Sequence, residues 1–467
     1  MILWTHDTAT AATGGKATGA WNASRVVIDS RSVQPGDLFV AIKGERLDGH
    51  QFVAEAFKNG AAAVIVSSPP AGGGNYILVP DTLAALVALG RAARARSYAK
   101  IVGVTGSVGK TSAKEMIRLA LSAHGKTYAT TGNLNNHIGT PLSLANLPPD
   151  AAFAVFEMGM NHAGEIAQLT RMVRPHVAVI TNVEGVHLEF FDSLEAIADA
   201  KAEIFEGMEA SGVAVLNADS RHLGRLKMAV TRCGLSRVLT FGEGLEGDVR
   251  LIAYQPTSAG VSFDASVGGA LVSCRLGAIG RHWAKTALMA LAVAQAFALD
   301  REKTARALGA FTEPAGRGQL VPLAIAGGRA MIINDSYNAS PPSMRAAFAK
   351  TVEVWEALGK KGRKLAALGD MLELGETSPV QHAALAEDLV RAGFDCVFTA
   401  GALMEHLHRA LPQAMRGAHV GSAMKLLPLL LAECKADDIL LLKGSHGSML
   451  YQLADAMTES METPHAV

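Results

Sequence analysis

The chain has 467 residues, too many for one compact core, so two to four domains are expected. Its 43 lysines and arginines balance its 43 aspartates and glutamates, which leaves no global field to attract nucleic acid or anionic lipid. Cys233, Cys274, Cys396 and Cys434 are scattered without CxxC spacing, which argues against a zinc site or disulfide framework and fits a reducing cytoplasm.

No basic segment followed by an apolar core opens the chain, so no signal peptide is read. Residues 1 to about 98 alternate short β-rich runs (26–28, 38–42 and 63–66) with turn signals. A Pro/Gly-rich loop covers 68–75, and a helix ends near Tyr98. From Ile101 to about Glu313, apolar runs at 101–105, 153–157, 177–181 and 213–216 alternate with helical ones, the pattern of a parallel sheet covered by helices. Ala287 to Leu299, the most apolar long stretch, is interrupted by Gln295 and falls short of a membrane span. Pro314 to Gly318 reads as a hinge. Beyond it, strands near 331–334, 364–368, 395–399 and 438–442 alternate with helices in a smaller α/β unit. The expected fold class is α/β, with domains at 1–98, 99–313 and 314–467. Cytoplasmic location, no nucleic-acid partner, no membrane insertion and a monomer as default complete the expectation.

The most informative stretch is Val104-Thr105-Gly106-Ser107-Val108-Gly109-Lys110-Thr111-Ser112, a phosphate-binding loop after a short apolar strand. Glycines let backbone N–H groups turn toward phosphate oxygens, Lys110 brings a point charge, and Thr111 offers a hydroxyl to Mg²⁺. The following helix turns its positive N-terminal end to the same anion. Val104 stands where the strict pattern has its first glycine; the glycines here are Gly103, Gly106 and Gly109. Gly106, Ser107, Gly109, Lys110, Thr111 and Ser112 are therefore read as binding a nucleoside triphosphate.

Glu157 closes the apolar run 151–156 at a strand end, where Mg²⁺ needs a hard oxygen ligand; an exposed strand-end acid is the alternative. His187, alone, reads as a loop histidine and, taken with Glu157, as a second metal-site group. Lys201 sits among alanines on a helix capped by Ser193. It reads as a solvated helix lysine or as a sheltered amine that takes up CO₂ to form a carbamate. The segments 333–341 and 442–447 put polar turn formers at strand ends, positions suited to ligand contact.

Taken in order, these segments resemble the Mur ligases, ATP-dependent amide-forming enzymes. The resemblance runs over nearly the whole chain. It is carried by Asp29-Ser30-Arg31 through Phe39, Asp48-Gly49-His50, the phosphate loop, Gly132-Asn133-Leu134-Asn135-Asn136-His137-Ile138-Gly139 and Glu157-Met158-Gly159. Asn182 to Glu189, the Lys201 helix, Asp335-Ser336-Tyr337-Asn338 and Lys443-Gly444-Ser445 complete it. The 132–139 and 335–338 segments point to the branch of the family that adds D-alanyl-D-alanine to UDP-N-acetylmuramoyl-tripeptide.

The resemblance implies three domains: a small α/β N-terminal domain, a P-loop parallel-sheet domain and a Rossmann-like C-terminal domain. It implies Ser30, Arg31, Asp48, Gly49 and His50 as contacts for the UDP substrate. Thr286, Arg317, Asp335 and Asn338 would lie at the nucleotide, and Asn135, Asn136, Tyr337 and Lys443 at the substrate. Mg²⁺ would be held by Thr111, Glu157, His187 and a carbamate on Lys201, with Lys110, Lys201 and His187 as the catalytic set.

Two departures stand out. Family members carry Gly-x-His-Asn-x-x-Asn before the alanine-rich helix, whereas this chain reads Gly280-Arg281-His282-Trp283-Ala284-Lys285-Thr286, replacing an amide by one hydroxyl. His446 stands where arginine often follows Lys-Gly-Ser. Three other readings compete: a sister ligase adding the third residue to a UDP-dipeptide, a folylpolyglutamate-type ligase, and a nucleotide-binding protein that has lost catalysis.

Overall fold

The computed structural model describes residues 1–44, 47–185, 190–325 and 327–459. The chain divides into two compact units, one of 1–181, 198–217 and 221–239, the other of 182–197, 218–220 and 240–467.

Beside an antiparallel pair of two-residue strands, Trp4–Thr5 with Asn22–Ala23, the first unit carries strands of two larger sheets. Strands β1 (Lys16–Ala17), β2 (Arg25–Val27), β3 (Asp37–Val40), β4 (Ala63–Val66) and β5 (Tyr76–Leu78) run in the order β1-β5-β4-β3-β2, parallel except at β1. Every residue of β4, Ala-Val-Ile-Val, is buried, as a central parallel strand covered on both faces requires. Helix α1 (Thr82–Arg96) starts at Asp81, whose carboxylate accepts from the amides of Leu83 and Ala84. The second sheet includes β6 (Lys100–Thr105), β7 (Thr127–Ala129), β8 (Phe153–Glu157), β9 (Val177–Ile180) and β10 (Val213–Asn217). These pair in parallel as β10-β9-β6-β8-β7. Helix α2 (Lys110–Ser122) leaves the carboxyl end of β6, and α3 (Leu194–Ala202) carries Lys201.

The second unit opens with a feature that the parallel-sheet expectation did not contain. Strands β11 (Val249–Thr257), β12 (Gly260–Val267) and β13 (Ala270–Leu276) form an antiparallel meander. Its turns have two residues, and in the second Gly268 and Gly269 both take positive φ, 57° and 82°, the twist that a tight hairpin needs. Along β12 the apolar residues Val261, Phe263, Ala265 and Val267 are buried, and Ser262, Asp264 and Ser266 between them less so. Helix α4 (Arg281–Ala296) follows, with a run of buried alanines, leucines and methionine.

The C-terminal part is a six-stranded sheet. Its strands are β14 (Gln319–Ile325), β15 (Gly328–Asp335), β16 (Lys364–Gly369), β17 (Cys396–Ala400), β18 (Arg416–Val420) and β19 (Ile439–Lys443). The order is β14-β15-β19-β16-β17-β18, antiparallel only at the β14 edge. Helices α5 (Pro341–Ala357), α6 (Ser378–Ala392) and α7 (Leu450–Glu459) accompany it. Strand alternation splits β19 between two cores: Ile439 and Leu441 pack with Phe348 and Leu385, Leu440 and Leu442 with Leu365 and Leu453. Among the described residues no helix is long and apolar enough to cross a membrane.

Leu441→Ala, at a fully buried central-strand position, is expected to cost about 2–5 kcal/mol, read as a lowered urea midpoint with unchanged activity at low denaturant.

Candidate active site

The loop after β6 is shaped by two glycines. Gly106 has φ 151°, and a Cβ there would lie 1.9 Å from Thr181 Oγ1. Thr181, at the end of β9, donates that hydroxyl to Val108 O at 2.7 Å and so pins the loop to the sheet. Gly109 takes φ 81° with open space around it; glycine is needed for the backbone alone. Lys110 arches back over the loop, donating Nζ to Gly106 O at 2.8 Å and Ser107 O at 3.4 Å. Ser112 is buried in the first turn of the helix.

Glu157, 2% exposed at the end of β8, accepts Thr111 Oγ1 on one carboxylate oxygen at 2.9 Å and Asn135 Nδ2 on the other at 2.9 Å. The alternative of an exposed strand-end acid is thereby overturned. Asn135, expected at the substrate, lies against this carboxylate. Asn136 is committed locally: its Oδ1 accepts the amides of Gly139 at 2.8 Å and Ile138 at 3.2 Å. Lys201 is 2% exposed, which overturns the solvated-lysine alternative. Burial, and then the charge of Lys110, hold its ammonium well below the ordinary lysine range. The expected Ser193 contact exists, with Ala196 N donating to its Oγ at 3.1 Å. His187 lies outside the described residues.

At the rim of the first sheet, Asp48 accepts His50 N at 3.0 Å and pairs with His50 Nδ1 at 2.6 Å. Ser67 N donates to His50 Nε2 at 2.9 Å, which places the imidazole proton on Nδ1. A Cβ on Gly49 would meet the Ile42 backbone at 2.8 Å, so this turn tolerates only glycine. Arg31 is exposed and paired with Asp29 at 2.7 Å, while Ser30 is buried and donates its hydroxyl to Glu55.

In the second unit, buried Lys443 donates to Asp335 Oδ2 at 2.7 Å and Asn338 O at 2.9 Å. The Arg317 guanidinium lies 4.1 Å over the Tyr337 ring. Thr286 spends its hydroxyl on His282 O one turn back, at 2.9 Å, so the expected nucleotide contact has its donor already engaged. Trp283 packs on Phe311 with ring centroids 5.0 Å apart. Burial, then the charges of Lys350 and Lys443, lowers the His282 pKa to about 3.

Several groups were not foreseen. Lys350 is buried against Glu313 at 2.9 Å, Tyr254 donates to Glu353 Oε2 at 2.6 Å, and Lys285 bridges Asp219 and Glu243 at 3.0 and 3.2 Å. Their partners are distant in sequence and no local pattern joins them. Thr181 carried a signal, as a polar residue ending an apolar strand.

A glycine-shaped phosphate loop at the carboxyl end of a parallel strand, with a hydroxyl and a buried carboxylate at its mouth, defines a P-loop nucleotide-dependent protein. Residues 22–94 match the Mur ligase family catalytic domain, 104–294 the Mur ligase middle domain and 316–446 the Mur ligase glutamate ligase domain. The chain belongs to the Mur ligase family. It is 34% identical to the UDP-N-acetylmuramoyl-tripeptide–D-alanyl-D-alanine ligase of Escherichia coli (strain K12), over 98% of this chain and 99% of that one. Among solved structures, it resembles MurF from Acinetobacter baumannii with TM-score 0.85 and 30% identity, covering 98% and 99% of the two chains. MurF ligase from Thermotoga maritima in complex with ADP gives TM-score 0.79 and 29% identity, covering 94% and 98%.

Gly106→Ala is expected to weaken ATP binding on the order of tenfold or more, seen by nucleotide titration, because the new methyl displaces Thr181 and the loop it pins. Lys201 binds fewer protons folded than unfolded, so its contribution to stability grows as pH rises toward the ordinary lysine value and is lost as pH falls. In metal-free, CO₂-depleted buffer, Lys201→Met should therefore melt higher than the parent protein near neutrality. The gap should narrow toward about pH 10.

Proposed function

We propose that this chain joins D-alanyl-D-alanine to UDP-N-acetylmuramoyl-tripeptide with consumption of ATP, a step of cytoplasmic peptidoglycan precursor synthesis. The observation that carries the reading is the convergence of Thr111 and Asn135 on buried Glu157 at the mouth of the phosphate loop. It stands in a chain alike over nearly its whole length to ligases named for that reaction.

An amine cannot displace oxide from a carboxylate. Transfer of the γ-phosphoryl group of ATP to the tripeptide carboxylate gives an acyl phosphate and ADP. The dipeptide amine then attacks the acyl carbon, forming the amide and expelling phosphate. Lys110 and the loop amides offset charge on the transferring group, which is the principal electrostatic contribution in such reactions. The donor set suits Mg²⁺: Thr111 and Glu157 are hard oxygens already within hydrogen-bond distance. One further anion near that pair would add to the charge that holds the ion. Lys201 can provide it, because an amine kept neutral by burial adds to CO₂ to give a carbamate and a proton. Thr111, Glu157, His187 and the Lys201 carbamate would hold the metal, which supplies charge neutralisation at the phosphoryl oxygens.

In this reading the domains are 1–98, 99–313 and 314–467. The first would take the UDP moiety through Arg31 and the Asp48-Gly49-His50 turn. Asp335, Asn338 and Arg317 would meet the nucleotide, and Tyr337 and Lys443 the acceptor. The turn 314–318 would be the hinge of a closure that keeps water from the acyl phosphate.

Phosphate release should appear with MgATP and bicarbonate only when UDP-tripeptide and D-alanyl-D-alanine are both present. Turnover with UDP-dipeptide and a free diamino acid would move the assignment to the sister ligase. Lys201→Ala should lose on the order of 10²-fold in kcat. It should also lack the carbamate resonance that ¹³C-bicarbonate gives in the parent protein.

A further inference from the structure

Helix α3 runs on into a 3₁₀ turn, Glu203–Gly207, whose Ile204 and Phe205 are buried. The turn is bonded to the helix Glu165–Val173, the next helix in the chain after β8 and its terminal Glu157. Gly164, at φ 88°, is the N-cap of that helix and has no side chain to meet the first amides. Glu203 meets them from outside: Gly164 N donates to Oε1 at 2.6 Å and Ala167 N to Oε2 at 3.1 Å. A capping box divides these two amides between two local side chains. Here one carboxylate, distant in sequence, takes both at the positive end of the helix dipole. Thr170 Oγ1 donates to Ile204 O at 2.7 Å, and a Cβ on Gly207 would lie 2.1 Å from Thr170 O, so the turn is seated at close quarters.

Glu157 and Lys201 stand on different segments, and a carbamate on Lys201 can serve the metal only if the two segments keep their spacing. A misplacement of about 1 Å costs on the order of 10²-fold in sites of this kind. We propose that Glu203 is a positioning residue for Lys201: its carboxylate ties the Lys201 segment to the helix that follows Glu157 and so holds the amine where its carbamate meets the metal. This rests on the functional reading above and adds to it a group that sets the geometry. Two other ties are weaker candidates, because Asp199–Arg225 and Arg171–Glu206 are ion pairs with well-exposed side chains. The bonds to Glu203 are charge-assisted and reach backbone amides that the helix itself holds in place.

The test is titration of full-length protein with ¹³C-bicarbonate at one pH, with Mg²⁺ present, following the carbamate resonance. Glu203→Ala should need about fivefold more bicarbonate than the parent for half of the maximal signal. Its kcat should be low at ambient CO₂ and recover in excess bicarbonate, with the KM for ATP within about twofold of the parent value. Glu203→Gln keeps an oxygen for one amide but turns N–H donors on the other, so it should fall between the two, and it carries the test if Glu203→Ala does not fold. Leu441→Ala, destabilised in the C-terminal sheet, should keep the half-saturation of the parent. An unchanged half-saturation in the Glu203 variants, or an equal shift in Leu441→Ala, would overturn the proposal and leave the ligase reading intact. No carbamate resonance in the parent would overturn the proposal together with the carbamate on Lys201. The expected shift in a parent protein without turnover would support the positioning role and count against the ligase reading alone.

Discussion

The carboxylate of Glu157 is the constraint on which the nucleotide site depends. A buried anion must find donors, and here it takes one from α2 through Thr111 and one from the 132–139 segment through Asn135. Those two bonds bring the phosphate loop, the strand end and a segment far from either in sequence to one point. Thr181 adds the opposite restraint, holding Val108 from the neighbouring strand and filling the space that any side chain at position 106 would need. Both restraints limit the conformations open to the loop. Its amides need little rearrangement to meet the anion, which is how positioning reduces the cost of binding.

The buried lysines show how differently one residue type is handled. Lys443 is matched by Asp335, and Lys350 by Glu313, so each keeps a counter-ion where water is excluded. Lys114 donates to Thr130 O at 2.5 Å and lies 3.2 Å from Glu115. Lys201 is handled differently: among the described residues no ion pair reaches it, and the charge that acts on it is another cation, Lys110. Burial without a counter-ion favours the neutral amine, and a neutral amine is a nucleophile. The same helix position with an aspartate nearby would have been an inert ion pair. Environment, not residue identity, makes Lys201 chemically distinct.

The parts of the site that were legible in the sequence are those whose chemistry is local. Gly106, Gly109, Lys110 and Thr111 are consecutive or nearly so, and their spacing alone specifies a phosphate loop. The parallel strands were legible because continuous apolar runs such as Ala63 to Val66 admit few other readings. The antiparallel meander at 249–276 was not, since its alternation is weak in β11, where outward residues are as exposed as in a loop. Asn136 and Thr286, which the resemblance placed at ligands, make local hydrogen bonds that no pattern in the sequence announced.

The sequence by itself determined the α/β class and the phosphate loop, because these follow from periodicity and from residue types at fixed short spacing. Only the tertiary structure decided that Lys201 is buried, that Asn135 serves Glu157 and that His446 lies edge-on to Tyr337. Each is a relation between residues tens to hundreds of positions apart. Desolvation and counter-ions belong to the packed molecule, and no local pattern along the chain encodes them.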